Sequence, residues 1–151
     1  MGGVRARPGH HVYRTSLKWD GAKGAALRSE GRPELRVAPP PEFGGPEGVW
    51  GPEHLLVASL ESCILLTFLY LLQRQGIGLV SYESQAEGTL ELGAEGVAFT
   101  EFTVRPQVLI APGGDVAAAE RTLRRAADSC LVHRSLKSQV HLEPRVSEAP
   151  A

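Results

Sequence analysis

Pro52-Glu53-His54-Leu55-Leu56-Val57-Ala58-Ser59-Leu60-Glu61-Ser62-Cys63-Ile64-Leu65-Leu66-Thr67-Phe68-Leu69-Tyr70-Leu71-Leu72 is the stretch on which the fold turns. Pro52 suits a first helical position, where its missing N–H costs nothing, and Glu53 in the first turn complements the positive end of the helix dipole. The helix is predicted to run from Pro52 to about Gln75, with Gly76 as its stop. Its interior is apolar nearly all round, and such a helix must be buried on every face. Its length would also suit a membrane span, but Glu61 in mid-helix, His54 at the start and the lack of a second apolar segment argue against one. One small sheet covers one side only, so a second subunit is the expected cover for the other.

Downstream the period changes to two. Val80, Tyr82, Ala86, Leu90 and Leu92 share one parity, and Glu83, Gln85, Glu87 and Glu91 the other, which predicts a half-buried strand. Gly93-Ala94-Glu95-Gly96 reads as a hairpin turn. The return strand carries Phe102, Val104, Val108 and Ile110 on one face, and Pro106 within it suggests an edge or a bulge. Asp115 is a good N-cap for a helix from Val116 to about Leu131. Val116, Ala119, Leu123, Ala126, Ala127 and Cys130 line one face of that helix, with Glu120, Arg121, Arg124, Arg125 and Asp128 largely opposite. Val140, Leu142 and Val146 alternate with polar residues in a last strand.

Upstream, Tyr13, Thr15, Leu17 and Trp19 predict a strand over residues 11–19. Asp20 to Gly24 is a turn, and Ala25 to Ser29 and Leu35 to Val37 are short strands. Pro39-Pro40-Pro41-Glu42-Phe43-Gly44-Gly45-Pro46-Glu47-Gly48 is neither helix nor central strand, because its prolines remove donors and its glycines invite turns. Residues 1–10 and 147–151 are expected as loose ends. The order predicts one α+β domain over residues 10–146, a mainly antiparallel sheet packed on a long buried helix plus a second helix.

With 151 residues, 42% of them hydrophobic and 22% charged, the chain suits a single globular domain and excludes general disorder. Sixteen Lys and Arg against 17 Asp and Glu leave a net charge of −1, so no overall field attracts nucleic acid or an anionic membrane. The basic start, Met1 to Pro8, has no following apolar region of the secretory kind, which points to the cytoplasm. Two cysteines are no structural disulfide framework, and in a reducing compartment a bond between them would be made and broken in turnover.

Cys63 and Cys130 each read first as a small core hydrophobe. Their settings argue for more. Glu61 and Ser62 precede Cys63 in an otherwise apolar run, and a buried carboxylate needs a partner or a task. His133 and Arg134 follow Cys130 and are of the kind that lowers a thiol pKa, whereas the dipole at a helix C-terminus disfavours a thiolate. Cys63 is therefore the expected attacking sulfur. Cys130-Leu131-Val132-His133 has metal-like spacing but cannot alone complete a tetrahedral zinc site, so neither metal nor cofactor is expected. Gly113-Gly114 lacks the pattern of a phosphate loop.

The run Pro52 to Cys63 resembles the central-helix signature of the OsmC/Ohr family of thiol peroxidases, in which a Pro-Glu pair opens the helix and a cysteine lies ten residues beyond the Glu. Ala126-Ala127-Asp128-Ser129-Cys130-Leu131-Val132-His133-Arg134-Ser135-Leu136-Lys137 resembles the family's second cysteine site. The resemblance covers about residues 10–146. It implies an intertwined homodimer with active sites at the subunit interface. It also implies a peroxidatic thiolate at Cys63, a resolving thiol at Cys130, and Glu53 holding an activating arginine. The substrate would be an organic hydroperoxide or hydrogen peroxide, and a dithiol would supply the reducing equivalents.

Two departures stand out. The resemblance places the arginine in the loop before the Pro-Glu pair, where this chain reads Pro41-Glu42-Phe43-Gly44 and has none. Arg36 and Arg32 are the nearest upstream candidates. Leu131 also follows the second cysteine where better-known branches have proline. The rival expectation is thus a non-catalytic binder of a small apolar or thiol-reactive molecule on the same fold, and beyond it a structural dimer with incidental cysteines.

Overall fold

The computed structural model describes residues 9–151. The loose end expected over residues 1–10 therefore lies almost wholly outside them. The chain divides into two compact units, the second beginning at Glu53.

The first unit is a three-stranded antiparallel meander of β1 (Ser16–Trp19), β2 (Ala25–Arg28) and β3 (Leu35–Val37). β1 is shorter than the alternation predicted, and its residues are exposed on both faces, so parity there did not report a buried side. The β1–β2 turn is tied by Asp20, whose carboxylate accepts from the Ala22 and Gly24 N–H groups at 2.8 and 3.2 Å. The proline-rich segment forms a loop with a single 3₁₀ turn at Pro41–Phe43.

In the second unit α1 (Pro52–Gln73) starts at the predicted proline and ends just before Gly76, which takes the left-handed φ of 69° that a side chain would resist. It buries one stripe, Leu60, Ile64, Phe68 and Leu72, at strict four-residue spacing. The expectation of burial on every face does not hold within the chain. Leu66, Leu69 and Tyr70 are 64%, 37% and 45% exposed on the opposite side. By length and composition the helix could cross a membrane, yet its buried stripe sits at the centre of the core cluster, which makes it the fold's core helix.

β4 (Leu79–Gly93) and β5 (Gly96–Ile110) form the long antiparallel hairpin that the alternation predicted. Phe102, Val104, Val108 and Ile110 are all buried. At Gly88 the Phe99 and Phe102 rings come so close that a Cβ would lie 2.8 and 2.9 Å from them. After α2 (Val116–Ser129) and the short α3 (Leu131–Ser135), β6 (Gln139–Leu142) and β7 (Arg145–Glu148) both pair with β5 in parallel. The sheet is therefore mixed. β5 is central and not an edge, so Pro106 needed another explanation. Its register puts it beside Pro144, in the gap between the β6 and β7 pairings, where neither residue has an N–H to donate. β7 also takes in Ser147 and Glu148, and Ala149 N–H donates to the Ile110 carbonyl at 2.8 Å, so the expected loose C-terminal end is largely tied down.

Candidate thiol site

Cys63 lies on the flank of α1, half-buried beside the core stripe. Cys130 is fully buried. The predicted helix to Leu131 breaks at Cys130, whose ψ of 127° leaves helical geometry between α2 and α3. Asp115 does cap α2 as expected, accepting from the Ala118 N–H at 2.9 Å.

Cys130 sits at the start of α3 as well as past the end of α2, and its side chain makes no cap hydrogen bond to the first turn of α3. The His133 side chain is bonded elsewhere. Its ring Nδ1 stands 2.6 Å from the Ala127 carbonyl oxygen.

Both cysteines are free, and Cys63 packs against the core cluster that contains Cys130, so the fold brings near one another two thiols 67 residues apart in sequence. Burial first, and the neighbouring Cys63 thiol second, push the Cys130 thiol up to about 11, with the Val132 and His133 N–H groups acting the other way.

Glu53 is not part of this contact. Ten helical residues correspond to a rise of about 15 Å, which excludes direct contact between Glu53 and Cys63 of one chain. One Glu53 carboxylate oxygen, Oε2, is buried and without a hydrogen-bond partner among the described residues. Arg36 pairs with Asp20 at 3.5 Å, and Arg32 donates to the Glu30 carbonyl at 2.7 Å, both contacts within the first unit.

Glu61 has a partner of its own. Two residues apart on a helix is about 200° of rotation, so Glu61 points away from the thiols and accepts from Ser84 Oγ on β4. Tyr82, packed against Phe68, has a buried hydroxyl with no partner of good geometry, although Ser84 stands near enough to act on it. Burial pushes its phenol up to about 12. Sequence reasoning missed this polar group; the one signal was an in-parity Ser84 between Tyr82 and Ala86.

A polar cleft of about 670 Å³, lined among others by Arg105, Arg124, Arg145 and Glu143, contains neither cysteine. Among the described residues no group of three or more His, Cys, Asp or Glu is placed to hold a metal ion.

Residues 45–145 match the model of the OsmC-like protein family. The uncharacterised Bacillus subtilis protein YmaD is 24% identical over 142 residues, covering 91% of this chain and 94% of that one. An OsmC-like protein of unknown function from Vibrio cholerae superposes with a TM-score of 0.83 at 22% identity, over 89% of this chain and 99% of that one. An organic hydroperoxide resistance protein from Legionella pneumophila gives a TM-score of 0.70 at 23% identity, over 91% and 99%.

Proposed function

The chain belongs to the OsmC-like family, and from that premise we propose that it is a homodimeric, cytoplasmic thiol peroxidase that reduces organic hydroperoxides or hydrogen peroxide through Cys63 and Cys130. One observation supports the reading: two free cysteines distant in sequence lie near one another inside the fold. That some neighbours of this fold are named organic hydroperoxide resistance proteins supports the substrate class.

The roles follow from exposure and charge. Cys63 is the more accessible sulfur and takes the peroxide. Its thiolate attacks one peroxide oxygen, the O–O bond breaks, and the alkoxide or hydroxide leaves with a proton as alcohol or water. Cys63 is then a sulfenic acid. Cys130, protonated and shielded, attacks the sulfenic sulfur; the S–S bond forms, and the displaced hydroxide takes up the Cys130 proton as water. A dithiol reduces the disulfide by exchange and becomes a disulfide itself. Residues 10–146 act as one domain in this cycle. Glu53, out of reach of the thiols in its own chain, takes its part through the dimer by holding an activating arginine at its unpartnered oxygen.

The absence of arginine from residues 38–51 and the unpartnered Glu53 oxygen favour a second reading, a binder of a small apolar or thiol-reactive molecule. Mass spectrometry after stoichiometric peroxide separates the two. The wild-type protein is expected to lose two hydrogens to an intramolecular disulfide. Cys130→Ser is expected to gain oxygen on Cys63 and go on to sulfinic acid, and Cys63→Ser to consume no peroxide. Wild-type protein that keeps both thiols free ends the peroxidase reading in favour of the binder.

A further inference from the structure

We infer that the polar cleft at the junction of β6 and β7 is a binding site for short peptides: Glu83 takes the terminal ammonium, Arg145 the terminal carboxylate, and Gln107 the peptide group between them. The cleft contains neither cysteine, so the inference stands apart from the peroxidase reading.

The cleft has a cause in the chain. Pro106 and Pro144 stand side by side where the β6 pairing with β5 ends at Val104 and the β7 pairing begins at Gln107. Neither proline has an N–H, so neither donates a ladder bond to draw the strands together there. A volume of about 670 Å³ opens beside them. Its polar lining belongs to the outward side of the sheet, because Val104 and Val108 turn into the core and Arg105 and Gln107 alternate with them. Gln107 pairs in register with Glu83 on β4 and with Arg145 on β7, so these three side chains form one row across three strands. All three are exposed.

Of the charged residues that line the cleft, Arg105, Glu143 and Arg124 are already paired. Arg105 is shared between Glu87 at 2.9 Å and Glu143 at 2.8 Å, and Arg124 holds Glu120, one turn earlier on α2, at 2.9 Å. Glu83 and Arg145 are left, one of each sign, and neither makes a side-chain hydrogen bond or ion pair among the described residues. Gln107 makes no side-chain hydrogen bond among them either. The two unmet charges sit at the ends of the row, two strand spacings or about 10 Å apart at the backbone. A single exposed ion pair is worth little, so a ligand gains by meeting both charges at once. A free α-amino acid carries its ammonium and carboxylate on one carbon, too close together to reach both ends of the row. A dipeptide holds them apart across a peptide group, and the Gln107 amide, midway in the row, offers that group both a donor and an acceptor.

An amide NMR titration of the full-length protein with glycylglycine tests the inference, with the Gln107 side-chain amide among the resonances expected to move. Three analogues each change one feature. N-acetylglycylglycine lacks the ammonium, glycylglycine amide lacks the carboxylate, and 5-aminopentanoate keeps both charges but has methylenes in place of the peptide group. Each is expected to bind about tenfold more weakly than glycylglycine. The losses are expected to map onto single residues. In Glu83→Gln the acetyl cap should cost nothing further, and in Arg145→Gln the amide cap should cost nothing further. In Gln107→Ala, glycylglycine and 5-aminopentanoate should bind alike. Arg124→Gln, which removes a cleft cation already paired within its own helix, is expected to bind glycylglycine like wild type. All these positions are exposed, so the variants are expected to keep the wild-type urea midpoint. Glycylglycine that moves no cleft resonance, a capped analogue that binds as tightly as glycylglycine, or an Arg145→Gln or Glu83→Gln protein that binds it like wild type overturns the proposal.

Discussion

Two side chains inside the second unit are acids that the fold holds neutral. Burial raises the Cys130 thiol from its usual 9 to about 11, helped by the neighbouring Cys63 thiol, and raises the Tyr82 phenol from 10 to about 12. Each folded-state pKa lies above its unfolded value, so the contribution to stability is complete below the unfolded pKa. Between 9 and about 11 the unfolded chain releases the Cys130 proton while the native state keeps it, and between 10 and about 12 the same holds for Tyr82. Proton release from the unfolded state then pulls the equilibrium toward unfolding. The urea midpoint of the reduced protein is therefore expected to fall from pH 9 upward. Cys130→Ala is expected to flatten the lower part of that fall and Tyr82→Phe the upper part; a wild-type midpoint flat over this range contradicts the burial account. At neutral pH Tyr82→Phe is expected to change stability by no more than about 0.5 kcal/mol, because the hydroxyl it removes has no well-formed hydrogen bond.

α1 shows how one element can carry two environments. Its stripe of Leu60, Ile64, Phe68 and Leu72 is buried, and Phe68 packs against Tyr82 with ring centroids 6.1 Å apart. Phe68→Ala removes a ring from a site with no solvent access and is expected to cost about 3–5 kcal/mol, read by urea denaturation. A loss below about 1 kcal/mol would mean that the core collapses around the missing ring. Ser62 shows the other environment, exposed and bonded back to the Ala58 carbonyl at 2.7 Å. The sequence of α1 marks no polar face, so periodicity alone does not tell the buried stripe from the exposed one. The adjoining sheet draws that line, because the residues facing β5 and α2 are the ones it covers. Pro106 makes the same point in a strand. Local chemistry marks a missing donor, but only the arrival of Pro144 from the far end of the chain makes a central position tolerable.

At the scale of the molecule, the exposed apolar row of Leu66, Leu69 and Tyr70 bears on assembly. A second copy covering it is the expectation, and wild-type protein is expected to scatter light as a dimer at micromolar concentration, with Leu66→Asp a folded monomer. A stable folded monomer of wild type under those conditions would remove the homodimer from the proposed function. Much of this organisation is legible in the chain itself, because it is local. Pro52 and Glu53 open α1, Gly76 closes it, Asp115 caps α2, and the even-numbered Phe102, Val104, Val108 and Ile110 name the buried face of β5. Each of these depends on a few neighbouring residues and on the geometry of one element. What the local pattern does not contain is the pairing of elements. The parallel docking of β6 and β7 on β5, the partnership of Glu61 with Ser84 and the burial of only one stripe of α1 all join residues far apart in sequence. The break at Cys130 belongs with them. Ser129 to Val132 has helical neighbours on both sides, and the break there leaves Cys130 buried in the core against which Cys63 of α1 packs. Helix propensity is a weak preference, and tertiary packing overrides it where it buries a side chain at the break.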